Sequence, residues 1–266
     1  MGVIRDWRVA AVDREGRAFR RAAAAVDLAT EVRSCPDWTM RQLVSHLARV
    51  YRGVAMSVAR GVVEPPALLP RPPEDGLLEW YDDGLAQLVA ALTPATNGPS
   101  LPAAATFWPR RMAHESAIHR WDAEQTAYGA AAEFDSALAA DGVGEVVEAL
   151  LGSRATLEPL ASARGTVELA CTDTGDRWLV RIEPGEVTGE LLTGELLTGP
   201  LLTGERRDGD GLTNRRVPGR PHRPDARISG PAQELYLLLW GRRRVADLAG
   251  VRLAGDRGLA RLIRAA

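Results

Sequence analysis

The chain has 266 residues, 45% hydrophobic and 26% charged, with a formal net charge of -2. That length suits one large domain or two modest ones with real cores, and the near-neutral charge argues against nucleic acid or an anionic membrane as partner. No run approaches the roughly 18 apolar residues of a membrane span, and the acid-containing start, MGVIRDWRVAAVDREGRAFRR, lacks a signal-peptide core, so a cytoplasmic protein is expected.

From Trp7 to about Val32, Val9, Val12, Phe19, Ala23 and Val26 recur at helical spacing. CPDWTMRQLVSHLARVYRGVAMSVAR follows, opening with Pro36 and a Thr39-x-x-Gln42 capping box. Leu43, His46, Leu47, Val50 and Val54 line one stripe of this second helix. The connector VVEPPALLPRPPED separates it from a third helix around Gly76 to Leu92. The loop TPATNGPSLPAAA leads into a fourth helix, from about Trp108 to Tyr128, and a fifth is expected over Asp135 to Leu151. Long helices joined by loops predict a helical bundle over residues 1–155.

After about Ala161 the period changes. TVELACTD and RWLVRIE are short, alternating and joined by a Thr-Gly-Asp turn, the pattern of a β-hairpin. DARISG reads as another strand, GPAQELYLLLWGRRR as a helix opening after Gly230-Pro231, and GDRGLARLIRA as a short amphipathic helix. These predict a small α/β domain over residues 160–266, and an α+β class overall. TGELLTGELLTGPLLTGE, from Thr188 to about Glu205, repeats every five residues. That period matches neither helix nor strand, and the copies are too few for a solenoid. Residues 188–224 are therefore expected to form a low-complexity inserted loop, whose leucines leave room for a lid, a partner-binding segment or a contact in self-assembly.

All 33 basic residues are arginine, which excludes lysine Schiff-base chemistry and, with the wealth of Ala, Gly, Leu and Arg, points to a G+C-rich genome. Cys35 and Cys171 are far apart, lack metal-site spacing and read as plain buried or half-buried thiols. The chemistry-bearing stretch is RRMAHESAIHRWDAEQTAY, Arg110 to Tyr128. Each helical residue advances about 100°, so Glu115 and His119 lie within about 40° of each other, Asp122 shares their face, and His114 points away as a structural residue. A third metal ligand must come from elsewhere among only four histidines. His222 sits in the Pro- and Arg-rich insertion, a poor place for rigid geometry, whereas His46 lies on an inward stripe where unpaired nitrogens would cost roughly 1–3 kcal/mol. Two readings stay open on spacing. One is a metal centre of His46, Glu115 and His119, suited to zinc or another divalent first-row ion; the other is a surface ion-pair face and one core histidine. Arg111, one turn before Glu115, is placed to pair with it, and Asp122 is either a hydrogen-bond acceptor for a ligand or an exposed acid.

CPDWTMRQLVSHLARV, RRMAHESAIHRWDAE, TDTGDRWLVRI and ISGPAQELYLLLWGRR occur in the order seen in the mycothiol-dependent maleylpyruvate isomerase family, which this chain resembles over nearly its whole length outside the repeat. The most specific parts are W-T-x-x-x-L-x-x-H-L, Trp38 to Leu47, and H-E-x-x-x-H-R-W-D-A, His114 to Ala123. The resemblance implies a DinB-like metal-binding four-helix bundle followed by a small α/β C-terminal domain, with His46, Glu115 and His119 as metal ligands. It also implies an arginine of the C-terminal domain that holds an anionic substrate or thiol cofactor; Arg242 in L-W-G-R-R-R is the nearest match, with Arg243 as the neighbouring register. A basic helix end favoured by the dipole is the plainer account of those arginines.

By the same resemblance the cofactors would be a divalent metal, zinc first, and mycothiol, the small thiol of actinobacteria. The partners would be that low-molecular-weight thiol and an electrophilic small molecule. For a maleyl substrate, thiolate addition to the conjugated double bond, rotation about the new single bond and thiolate expulsion would give the trans product. The same activated thiolate could serve an S-transferase acting on another electrophile or a natural-product intermediate, and a non-catalytic metal-binding protein is the alternative outside enzymology.

Overall fold

A computed structural model describes residues 6–64, 69–93, 103–151, 162–184, 186–193 and 224–263. The chain divides into two compact units, Met1–Ala132 and Glu133–Ala266. The first is a four-helix bundle of α1 (Trp7–Ala24), α2 (Met40–Ala59), α3 (Leu77–Leu92) and α4 (Ala103–Tyr128). α1 packs mainly on α4 and α3, and α2 on α3 and α4. Val9, Val12, Phe19 and Ala23 of α1 meet the core, as do Leu43, Leu47, Tyr51 and Val54 of α2. α2 starts where its capping box requires: the Gln42 N–H donates to Thr39 Oγ1, and the Thr39 N–H donates to Gln42 Oε1 at 2.7 Å.

Two helix ends differ from expectation. α1 stops at Ala24, about two turns before Val32. The Asp27 carboxylate accepts from the Ala29 N–H at 2.8 Å and its carbonyl from the Thr30 N–H at 2.9 Å, a local turn that competes with helix continuation. α4 begins at Ala103 rather than near Trp108 and contains Pro109; Ala103–Ala105 are strong helix formers that extend the helix upstream of that proline. Among the described residues, no helix is long and apolar enough to cross a membrane.

The second unit opens with α5 (Ser136–Glu145), capped by Asp135 and continued by a π-helical turn, Val146–Leu150. The strands are β1 (Gly165–Cys171), β2 (Arg177–Glu183), β3 (Glu186–Thr193), β4 (Ala226–Gly230) and β5 (Arg252–Gly255). They form one sheet in the order β3-β2-β1-β4-β5, antiparallel except for the β1–β4 pair. Helix α6 (Ala232–Leu239) follows β4, and α7 (Arg257–Arg261) closes the unit. The fold is α+β, as the alternation of periods implied. The unit boundary differs from the expected residue 155: α5 packs on α6, Phe134 meets Tyr236 with ring centroids 5.2 Å apart, and the Phe134 N–H donates to Gln233 Oε1 at 2.8 Å. Helical spacing cannot tell which neighbour a helix will choose.

The start of the expected insertion is also corrected. Thr188–Thr193, the first copy of the repeat, belongs to β3, an edge strand paired with β2. Antiparallel pairing from Glu183–Glu186 to Arg177–Thr193 absorbs it, with a register shift at Arg177/Trp178. Residues 194–223, with the remaining copies and His222, lie outside the described residues. Removing Thr188–Gly204 would therefore delete most of a strand together with the repeat. At Gly189 a Cβ would sit 2.1 Å from Val147 Cγ1 and 2.9 Å from the Val147 carbonyl oxygen. Gly189→Ala is expected to destabilise the protein by about 1–3 kcal/mol through overpacking, read as a lowered midpoint in denaturant unfolding.

Candidate metal centre

α2 and α4 are neighbours in the bundle, and their facing turns bring three donors together. His46 Nε2 lies 2.9 Å from Glu115 Oε1, and His119 Nε2 lies 3.4 Å from the same oxygen. One ligand atom from each of the three residues falls within 4.8 Å of the other two. The i, i+4 relation of Glu115 and His119 supplies one side of the cluster, and α2 supplies the other. His46 sits at the rim of its stripe rather than deep within it: its side chain is 33% exposed, against 9% for His119, so solvent reaches the cluster from the α2 side. The Trp38 ring lines the histidines, its centroid 5.0 Å from His46 and 6.4 Å from His119.

Flanking groups fix these donors. Arg111 Nη2 contacts Glu115 Oε2, leaving Oε1 for the two imidazoles. Asp122 is fully buried and accepts a hydrogen bond from His119 Nδ1 at 2.9 Å, which turns Nε2 toward Glu115. Burial alone would push the Glu115 carboxyl up, but Arg111 and the hydrogen bonds from His119 and His46 hold it well below the usual carboxylate range. Burial alone would lower His119; hydrogen bonds with Asp122, Cys35 and Glu115 override it and hold the imidazole well above its ordinary value. The pocket thus favours positive charge at His119. A divalent cation suits that demand. Bonds of about 2.0–2.1 Å around a tetrahedral ion put donors roughly 3.3 Å apart, comparable to the 2.9 and 3.4 Å separations seen here. Two imidazole nitrogens and one carboxylate oxygen also leave coordination positions for exogenous ligands.

His46, Glu115, His119, Arg111 and Asp122 therefore form one connected cluster. Among the described residues a second set of donor atoms, from Cys35, His119 and Asp122, also lies within 4.8 Å of one another; His114 is fully buried on α4 and belongs to neither set. Arg242 lies in the second unit, just past α6, half-buried, with Nη1 donating to the Trp240 carbonyl at 2.9 Å. Arg243 approaches Glu234 at 3.7 Å. Sequence reading missed Cys35, whose Sγ lies 3.4 Å from Asp122 Oδ2. No spacing signal could have found it, because 87 residues separate the pair.

Two family models match the chain: the mycothiol maleylpyruvate isomerase N-terminal domain over residues 9–124, and the MDMPI C-terminal domain over residues 137–262. A crystal structure of a mycothiol-dependent maleylpyruvate isomerase is similar with a TM-score of 0.53 at 16% identity, covering 94% of this chain and 92% of that one. A structure of a histidine-to-alanine mutant of a mycothiol-dependent maleylpyruvate isomerase gives a TM-score of 0.54 at 15% identity over the same shares of the two chains. At these identities the likeness is one of fold. No curated protein sequence matches the chain.

Proposed function

Since the chain belongs to the mycothiol-dependent maleylpyruvate isomerase family, we propose that it is a metal-dependent enzyme that activates a low-molecular-weight thiol, mycothiol, for addition to an electrophilic small molecule. The observation that carries this reading is the convergence of His46, Glu115 and His119 on one point between α2 and α4. These three residues would hold a divalent ion, zinc by preference for the mixed nitrogen and oxygen donors. The ion would supply acidification of a thiol, so that the thiolate is available at neutral pH.

The chain's own residues have separate tasks. Asp122 keeps the proton on His119 Nδ1 and so leaves Nε2 as the donor. Arg111 engages Glu115 Oε2 and limits that carboxylate to one oxygen. Trp38 covers the histidine rings with an apolar face. Arg242 is assigned to an anionic group of substrate or thiol; the support is the family's use of an arginine in this segment. No protein nucleophile is required. Maleylpyruvate-type cis–trans isomerisation is the first activity to assay. An S-transferase acting on another electrophile uses the same cluster, and a cytoplasmic, actinobacterial setting follows if mycothiol is the thiol.

The test is thiol transfer and isomerisation by zinc-loaded protein with mycothiol, using maleylpyruvate and a general electrophile as acceptors. Glu115→Ala is expected to remain folded by circular dichroism and to lose at least about a hundredfold in rate, given that even outer partners of a metal site cost 10–100-fold. A folded Glu115→Ala variant with full activity, or wild-type protein inert toward both acceptors, would overturn the enzymatic reading.

A further inference from the structure

The segment ahead of α2 forms a small knuckle that touches the cluster twice. The Cys35 N–H donates to the Val32 carbonyl at 2.9 Å, the Trp38 N–H to the Cys35 carbonyl at 3.1 Å, and the Val32 N–H to the Trp38 carbonyl at 2.8 Å. A bridge between Glu31 and Thr39 closes its base. Asp37 adopts φ +68°, the one non-glycine residue in the left-handed region among those described. Such strain persists only where surrounding contacts over-determine it. The knuckle delivers Trp38 to the imidazole rings and Cys35 to the carboxylate behind them. Cys35 Sγ–H donates to Asp122 Oδ2 at 3.4 Å, and His119 Nδ1–H donates to the same oxygen at 2.9 Å.

We propose that Cys35 is a positioning residue of the metal centre, acting on His119 both through Asp122 and through its own contact with the ring. The inference rests on the metal-centre reading above. A buried carboxylate needs its donors, and its orientation follows from where they lie. With the thiol in place, Oδ2 is pinned between Sγ–H and Nδ1–H, and the ring is fixed with Nε2 toward Glu115 and His46. Without it the carboxylate keeps the His119 bond but loses one donor, and the imidazole is held less firmly. In this role the sulfur is not itself a ligand. No bond from sulfur to the ion forms.

The experiment measures zinc affinity of the full chain by competition with a chromophoric chelator, and the visible spectrum of the cobalt(II) form. It compares wild type, Cys35→Ala, Cys35→Ser, Asp122→Ala and the Cys35→Ala/Asp122→Ala double variant. Cys35→Ala changes little volume, and Cys35→Ser keeps a donor, so both are expected to fold. Cys35→Ala should weaken zinc binding by about tenfold, the lower end of the effect of outer partners, and alter the cobalt d–d bands. Cys35→Ser should recover most of that loss, and the double variant should lose less than the two single losses combined, as expected for residues that share one imidazole. Wild-type affinity in Cys35→Ala, a Cys35→Ser variant as weak as Cys35→Ala, or full additivity in the double variant would each overturn the inference. A sulfur-to-cobalt charge-transfer band in wild type would also overturn it, by making Cys35 a ligand. Wild-type protein that binds neither zinc nor cobalt would bring down this inference and the metal-centre reading together; the preceding outcomes defeat the inference alone.

Discussion

Replacing His46 by alanine is expected to weaken zinc binding by at least about a hundredfold, more than loss of an outer partner does, so that dialysed protein retains little metal. The side chain is one-third exposed at the rim of α2, so its removal opens no core cavity and the helices should remain folded. Elemental analysis of wild type and variant, prepared identically, reads the difference. The affinity should also depend on pH in a defined direction. His119 holds its proton well above the ordinary imidazole value in the metal-free chain, and that proton must leave before Nε2 can bind an ion. Affinity should therefore rise with pH up to that raised value and level off above it, falling below it by about tenfold per pH unit for each proton displaced. Glu115 is held well below the usual carboxylate range and stays ionised through this window, adding no proton of its own. Equal metal in wild type and His46→Ala would remove the assignment of these ligands.

The second large effect falls on stability. Arg120, next to His119 on α4, donates to Glu15 Oε2 of α1 at 2.8 Å, to Glu124 Oε2 at 2.6 Å and to the Ala132 carbonyl at 2.7 Å. Its side chain is 4% exposed and that of Glu15 is 8%, so removing the guanidinium takes from the buried Glu15 one of two cationic partners, leaving Arg14 Nε on Oε1 at 2.9 Å, and strips Glu124 and the Ala132 carbonyl of a donor. Arg120→Ala is expected to cost about 2–3 kcal/mol, the loss of charge-assisted hydrogen bonds at a buried site. For a chain of this size that lowers the melting temperature by roughly 4–12 °C, measurable by calorimetry on metal-free protein. The exposed pair Arg164–Glu183 is the control: both side chains are more than half exposed, and Arg164→Ala should change stability by less than about 1 kcal/mol. A melting point for Arg120→Ala as high as that control's would mean that the α1–α4 ion pair contributes nothing to the bundle.

Local signals were legible where their physics is local. Thr39 and Gln42 exchange side-chain and backbone hydrogen bonds across one helical turn, so the start of α2 can be read from four residues. TVELACTD and RWLVRIE alternate, and they pair as β1 and β2 around a turn with Gly175 at φ +82°. Other features depended on partners distant in the chain. The first repeat copy became β3 because β2 offers a pairing edge and Val147 closes over Gly189, neither of which is visible in a five-residue period. VRLAG carried no strand expectation, yet Arg252–Gly255 pairs with β4 as β5. Cys35 looked inert on spacing and is found beside Asp122.

By itself the sequence determined the α+β class, the start of α2, the central hairpin, and the common face of Glu115, His119 and Asp122, because capping, alternation and helical pitch act over a few residues. Tertiary structure decided that His46 meets that face, that Arg111 and Asp122 brace its two ends, that α5 joins the sheet unit, and that a thiol from the knuckle ahead of α2 reaches the same carboxylate. Those outcomes require packing between residues tens of positions apart, and no local period encodes which surfaces will meet.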